Sequence, residues 1–196
     1  PWRARPCPPS AIPCCPKAMS VGGDIVLETE RLILRKITEG DAVLQDRTFN
    51  TPTVMHYLGG VKELHEIEER HAITMASYSK NGFGFMFAIE KGTGELVGHA
   101  GLKRTDIPSA PNKGDHEIGW LIREDRWRRG YAYEAASAVM EWAFTRFEPP
   151  RIVAITSERN IGSWKLMEKL GMDRRRDLDF HEPDFSDEDN PVIQYA

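Results

Sequence analysis

Beyond residue 15 the chain contains no cysteine; Cys7, Cys14 and Cys15 are its only three. That distribution excludes a disulfide framework across the body of the protein and points to a reducing compartment, the cytoplasm. It matches no zinc finger or ribbon spacing, so no metal is expected. Long apolar runs are missing too: nothing approaches the roughly 18 consecutive apolar residues of a membrane span. Positive charge is in deficit, with 26 Lys and Arg against 30 Asp and Glu, which argues against non-specific nucleic-acid binding. No Gly-Lys-Ser/Thr completes a Walker loop, and there is no Gly-x-Gly-x-x-Gly fingerprint.

What remains is an ordinary globular composition, 40% hydrophobic and 29% charged over 196 residues. That length favours one domain, able to bury roughly 70% of its unfolded surface without staples. Residues 1–20 are Pro-rich and aperiodic, lack the apolar core of a secretory signal, and are expected to be a disordered or artefactual extension. Residues 21–196 carry the fold.

Alternation of Leu32 and Leu34 with Arg31, Ile33 and Arg35 predicts a first strand within 25–37. Thr38, with Asp41 three residues on, predicts a capped helix over about 41–49, stopped by Pro52. Leu64, Ile67, His71, Met75 and Tyr78 recur at helical steps, with Glu66 facing Arg70, so a helix spans 63–80 and Gly82 caps it. Phe83, Phe85, Phe87 and Ile89 alternate into the turn 91–94 and a return strand at 95–103. A polar loop at 105–116 leads to a fourth strand, 117–122. Tyr131 to Phe147 carries an apolar stripe of Ala132, Ala135, Ala136, Val139, Met140, Ala143, Phe144 and Phe147. A short strand (152–155), a helix (160–170) capped by Gly171, and strands near 173–180 and 192–195 follow. A helix joins the fourth and fifth strands, so these two are expected to be parallel. The class is mixed α/β.

The junction from Leu121 to Ala132 has the character of an anion site. A strand ends, Arg123, Arg126, Arg128 and Arg129 follow, and Gly130 opens a long helix. The first amides of a helix lack intrahelical partners and carry about half a positive charge. Gly130 would let a phosphate approach the backbone, and Ala132 keeps the next turn small. The competing reading is a solvated turn whose arginines pair with Glu124 and Asp125.

The run Glu117-Ile118-Gly119-Trp120, then Trp127-x-x-Gly130-Tyr131-Ala132-x-Glu134-Ala135, resembles the cofactor motif of the GNAT N-acetyltransferase superfamily. Arg151-Ile152-x-Ala154, Asn160-x-x-Ser163 and Met167-Glu168-Lys169-Leu170-Gly171-Met172 continue the resemblance. Together with Glu28-Thr29-Glu30-Arg31-Leu32-x-Leu34-Arg35, they make the chain similar to the branch containing ribosomal-protein N-terminal acetyltransferases, over about residues 25–196. The resemblance implies a single domain with a splayed, mostly antiparallel sheet, parallel at the fourth and fifth strands and flanked by helices. It implies acetyl-CoA as co-substrate, with backbone of Leu121, Ile122 and Arg123 pairing with the pantetheine arm. Amides of Arg128, Arg129, Gly130, Tyr131, Ala132 and Tyr133 would hold the pyrophosphate, Asn160 the pantetheine, and Ser163 would sit near the sulfur. Two positions depart from the family pattern: Arg128 stands where Gly is usual, and Met167 where many relatives carry an acid Tyr.

Acyl transfer to an amine needs a neutral amine, a stabilised oxyanion and a protonated leaving thiolate. A backbone N–H near Leu121, freed by a bulge, would serve the oxyanion, and Ser163 the thiolate. For the base the candidates are Glu117, Glu182, His116 and His181, with Glu117 and Glu182 preferred; each of those two has a structural alternative, an ion pair with a strand arginine for Glu117 and an acidic surface stretch for Glu182. His99 reads as a core histidine. An α-amine costs only about 1 kcal/mol to deprotonate at pH 7 against about 4.6 for lysine, so a peptide N-terminus or a weakly basic small-molecule amine is the easier acceptor. The acidic stretch 182–189 either attracts a cationic acceptor or is a solvated loop. No nucleic-acid or membrane partner is expected, and the protein would be a monomer or homodimer. Two other readings stay open: a non-catalytic acyl-CoA-binding or sensing protein, and a nucleotide-binding module.

Overall fold

The computed structural model describes residues 23–183 and 185–196. The 1–20 extension with its three cysteines, the boundary expected at residue 21, and Asp184 lie outside the described residues. Seven strands form one sheet in chain order: β1 (Ile25–Glu28), β2 (Leu32–Lys36), β3 (Phe85–Glu90), β4 (Leu96–Arg104), β5 (His116–Ile122), β6 (Ile152–Ser157) and β7 (Val192–Tyr195). All neighbours are antiparallel except β5 and β6, which are parallel. The helices among the described residues are α1 (Asp41–Phe49), α2 (Leu64–Asn81), α3 (Tyr131–Phe147) and α4 (Ile161–Lys169).

Alternate residues of β5 serve opposite faces. Ile118 and Ile122 join the core beneath α3, while Leu121 joins the cluster around Phe49 of α1. Ala135, Ala136, Val139 and Ala143 are fully buried, and their small size lets α3 lie close on the sheet. Phe144 falls off this stripe and is 45% exposed. β5 and β6 share only two register pairs, His116↔Ile152 and Glu117↔Val153, before they part; β6 then pairs with β7.

Four local expectations need correction. The run 25–37 is a hairpin rather than one strand, because the Thr29 hydroxyl accepts from Leu32 N–H (2.9 Å) and Thr29 N–H donates to Leu32 O (2.9 Å), closing a turn. Gly40, in the left-handed region, is the N-cap of α1. The Asp41 carboxylate instead accepts from Thr38 N–H (2.7 Å) and pairs with Arg35 (2.6 Å). Glu66 closes a capping box on the Glu63 amide (2.8 Å) rather than meeting Arg70. The strand expected at 173–180 reduces to single bridges at Arg174 and Phe180 around a 3-10 turn, Arg176–Leu178. Arg174 paired with Asp179 (2.5 Å) folds that segment on itself.

Candidate active site

Where β5 and β6 part, a cleft of about 1700 Å³ opens. A single small ligand occupies about 300–1,000 Å³, so there is room for two reactants. Leu121, Ile122, Arg128, Gly130, Tyr131, Ala132, Tyr133, Asn160 and Ser163 border it, and so do Glu117 and Glu182. Arg123 and Arg129 lie outside its lining.

At one end is the start of α3. Gly130 is its N-cap with φ 83°, and no side chain caps the first-turn amides. Arg128 also has positive φ, 59°, so it adopts the conformation that glycine would supply at that position. Trp127 Nε1 donates to Ile122 O (2.6 Å) and ties the loop to the end of β5. The four arginines divide. Arg123 is held by Asp125 (2.7 Å), and Arg126 by Glu95; Arg128 and Arg129 make no ion pair among the described residues. Two of the four are therefore spent within the fold, and of the other two only Arg128 borders the cleft. A left-handed residue with a Cβ costs about 1–2 kcal/mol. Arg128→Gly is expected to raise stability by about 1 kcal/mol while weakening binding of a phosphate-bearing anion at this loop only severalfold, through one lost guanidinium. Thermal melts and pyrophosphate titration check both parts.

At the other end Glu117 is buried on β5, opposite Lys103 of β4, whose Nζ lies 3.1 Å from Oε1. Oε2 makes no hydrogen bond of ordinary geometry among the described residues, although the buried Thr105 hydroxyl lies near the carboxyl. Burial pushes the carboxyl above its ordinary range, and Lys103 and the Thr105 hydroxyl offset part of that rise. The ion-pair partner is thus a lysine, and it uses only one carboxylate oxygen. Gly119, two residues on, makes room for Phe85, whose ring a Cβ there would meet at 3.0 Å.

The remaining candidates separate by position. His116 faces the α3 side, with Nδ1 3.1 Å from Arg104 and its ring against Phe83; it does not border the cleft. His181 is exposed and also outside it. Glu182 borders the cleft but is tied to the 105–115 loop, accepting from the Ser109 hydroxyl (2.6 Å). In the acidic stretch, Glu188 pairs with Arg159 and Asp189 accepts from the Ser157 hydroxyl (3.0 Å), so part of its charge is spent within the fold. His99 packs between Phe49 and Phe85 (ring centroids 5.5 and 5.0 Å) while touching the cleft. That enclosure, with His71 and Arg70 nearby, pushes it down to about 3, so it stays neutral. Met167 is buried in the core and offers no acid. Asn160 caps α4, its Oδ1 accepting from Ser163 N–H (3.4 Å), and the Ser163 hydroxyl is left without a partner at the cleft.

The expected bulge at Leu121 is absent: β4 and β5 pair without a register shift from Gly98↔Ile122 to Arg104↔His116. Arg123 N–H donates to Val97 O (3.0 Å) on the β4 side. Backbone groups of alternate residues face opposite edges, so Leu121 N–H turns toward β4, and the amides of Trp120 and Ile122 face the open edge. The edge exists because β6 leaves, not because β5 bulges.

A left-handed loop with uncapped helix amides and a buried carboxylate thus share one cleft, in a sheet that opens between its parallel strands. Residues 31–173 match the family model described as "Acetyltransferase (GNAT) domain". The chain belongs to the GNAT acetyltransferase family. Its domain is that of an acyltransferase, and the sequence resemblance is confirmed. It is 32% identical over 152 residues to "Uncharacterized N-acetyltransferase YoaA" of Bacillus subtilis, covering 76% of this chain and 83% of that protein. The crystal structure of an acetyltransferase from Agrobacterium tumefaciens superposes with a TM-score of 0.70 at 28% identity, covering 86% of this chain and 91% of that one. RimL, a ribosomal L7/L12 alpha-N-protein acetyltransferase solved in complex with coenzyme A, shares the fold at 14% identity and a TM-score of 0.70, covering 88% and 96%. Among the described residues no helix is long and apolar enough to cross a membrane, and no group of three or more His, Cys, Asp or Glu could hold a metal ion.

Proposed function

We propose that the protein transfers the acetyl group of acetyl-CoA to a primary amine, either a protein N-terminal α-amine or a weakly basic small-molecule amine. The observation that carries this reading is one cleft with uncapped α3 amides at one end and the buried Glu117 carboxylate, paired with Lys103 through one oxygen, at the other. The fit to the cofactor rests on the two left-handed residues of the loop, which turn successive amides toward an anion, and on the open edge of β5. When bound, acetyl-CoA supplies an activated thioester carbonyl.

Glu117 takes a proton from the entering ammonium, leaving a neutral nitrogen to attack the carbonyl carbon. Its elevated pKa narrows the gap to an α-amine and favours that transfer. An amide on the open edge, Trp120 or Ile122, donates to the oxyanion. As the C–S bond breaks, Ser163 donates a proton to the sulfur and is reprotonated by the nitrogen that has just become an amide. One proton is released overall. A thiolate leaves readily, so Ser163→Ala is expected to lower kcat by less than about tenfold, below the roughly 10²- to 10⁴-fold worth of a general acid; stopped-flow thiol release checks it.

The deciding experiment is thiol release from acetyl-CoA across amino acids, polyamines, aminoglycosides and peptides with free N-termini. Turnover with an amine supports the enzyme. Tight acetyl-CoA binding without turnover across the panel would sink it in favour of a binding protein.

A further inference from the structure

We propose that Arg31, on the turn between β1 and β2, is a positioning residue that holds the α3 entry loop in its anion-binding conformation from behind. The proposal rests on reading that loop as the pyrophosphate site, and the experiment below separates the two. Arg31 Nε lies 2.6 Å from Glu134 Oε2 in the first turn of α3. The Arg31 amide and the Thr29 hydroxyl both donate to Glu134 Oε1, at 2.8 and 2.6 Å. Nη1 donates to Arg129 O (2.9 Å), and the guanidinium carbon sits 4.4 Å over the Tyr131 ring. A Cβ on Gly130 would lie 3.3 Å from Nη2. One guanidinium therefore touches three consecutive loop residues and the carboxylate that anchors them to the helix.

Neither Thr29 nor Arg31 borders the cleft, so Arg31 acts through the loop rather than on a ligand. Two physical needs meet there. A left-handed Arg128 persists only where its surroundings over-determine it, and the bond to Arg129 O fixes the carbonyl next to it. Glu134, one turn into α3, also competes with any anionic ligand for the positive end of the helix dipole; Arg31 neutralises it. Removing Arg31 would loosen the loop and leave a bare carboxylate beside the anion site.

The test is titration of CoA and of pantetheine, which lacks the pyrophosphate, into wild type, Arg31→Ala and Arg31→Lys. Arg31→Ala should bind CoA about tenfold more weakly, as expected for lost charge-assisted hydrogen bonds, and pantetheine as wild type does. Arg31→Lys, which keeps the charge and loses the fork, should fall between; it also carries the test should the alanine variant not fold. Arg31→Ala/Glu134→Gln should regain part of the lost CoA affinity, because the bare charge is gone. Equal loss for both ligands, or no loss for either, overturns the clamp while leaving the loop reading intact. A wild-type protein that binds pantetheine as tightly as CoA overturns the loop reading and the clamp with it.

Discussion

Gly130→Asp is expected to weaken CoA binding on the order of a hundredfold without unfolding the protein, since it places a charge against the anion that the helix end would hold. The reasoning has a local and an electrostatic part. Gly130 has φ 83°, a conformation that aspartate tolerates better than most residues. Its new Cβ would lie 3.3 Å from Arg31 Nη2, giving the carboxylate a cationic neighbour. The fold should therefore survive, with the uncapped α3 amides now satisfied from within the chain. A phosphate would meet like charge and donors already taken. CoA titration beside a thermal melt reads both quantities, and unchanged CoA affinity would remove the loop from the proposed mechanism.

Glu117→Gln should lower kcat by about 10²- to 10⁴-fold, the usual worth of a positioned base. The acid limb that the carboxyl contributes to the pH profile of kcat/KM should vanish with it. In wild type that limb lies above the ordinary carboxylate range, because burial raises the group against the pull of Lys103. The stability consequence has the opposite sign. A carboxyl whose folded pKa exceeds its unfolded value costs stability as pH rises from the unfolded value through the folded one. Glutamine is free of that cost, so the variant should melt at or above the wild-type temperature at neutral pH, by a margin that shrinks as pH falls toward the ordinary carboxylate range. An inactive variant that is no less stable identifies chemistry; full activity would transfer the role to Glu182, which borders the same cleft.

Much of this was readable before any coordinates. The α3 stripe, the glycine at its start and the parallel crossover around it depend on neighbours within a few residues. So do the left-handed cap at Gly82 and the uncapped amides at the start of α3, which any helix start leaves without intrahelical partners. The errors have a common origin. The alternating residues 31–35 do not mark where their strand begins, so the turn made by the Thr29 side chain is invisible in that pattern. The segment 173–180 alternates only at Leu178 and Phe180, and the Arg174–Asp179 pair and the Gln194 side chain, donating to Leu178 O at 2.6 Å, close it into a turn. Lys103 was missed as the partner of Glu117 because their register is set across the 105–115 loop, whose length alone does not fix a pairing. Arg31 and Glu134 are 103 residues apart; both stand in recognisable motifs, yet nothing local says that they meet.

The sequence by itself determined the family and the class of fold, because periodicity and motif spacing are local properties of the chain. Only the tertiary structure decided which arginines are spent on Asp125 and Glu95 and which make no ion pair among the described residues, which edge of β5 is open, and which carboxylate loses its water. Those outcomes depend on desolvation and charge pairing between elements far apart in sequence, and these arise only when the sheet brings the elements together.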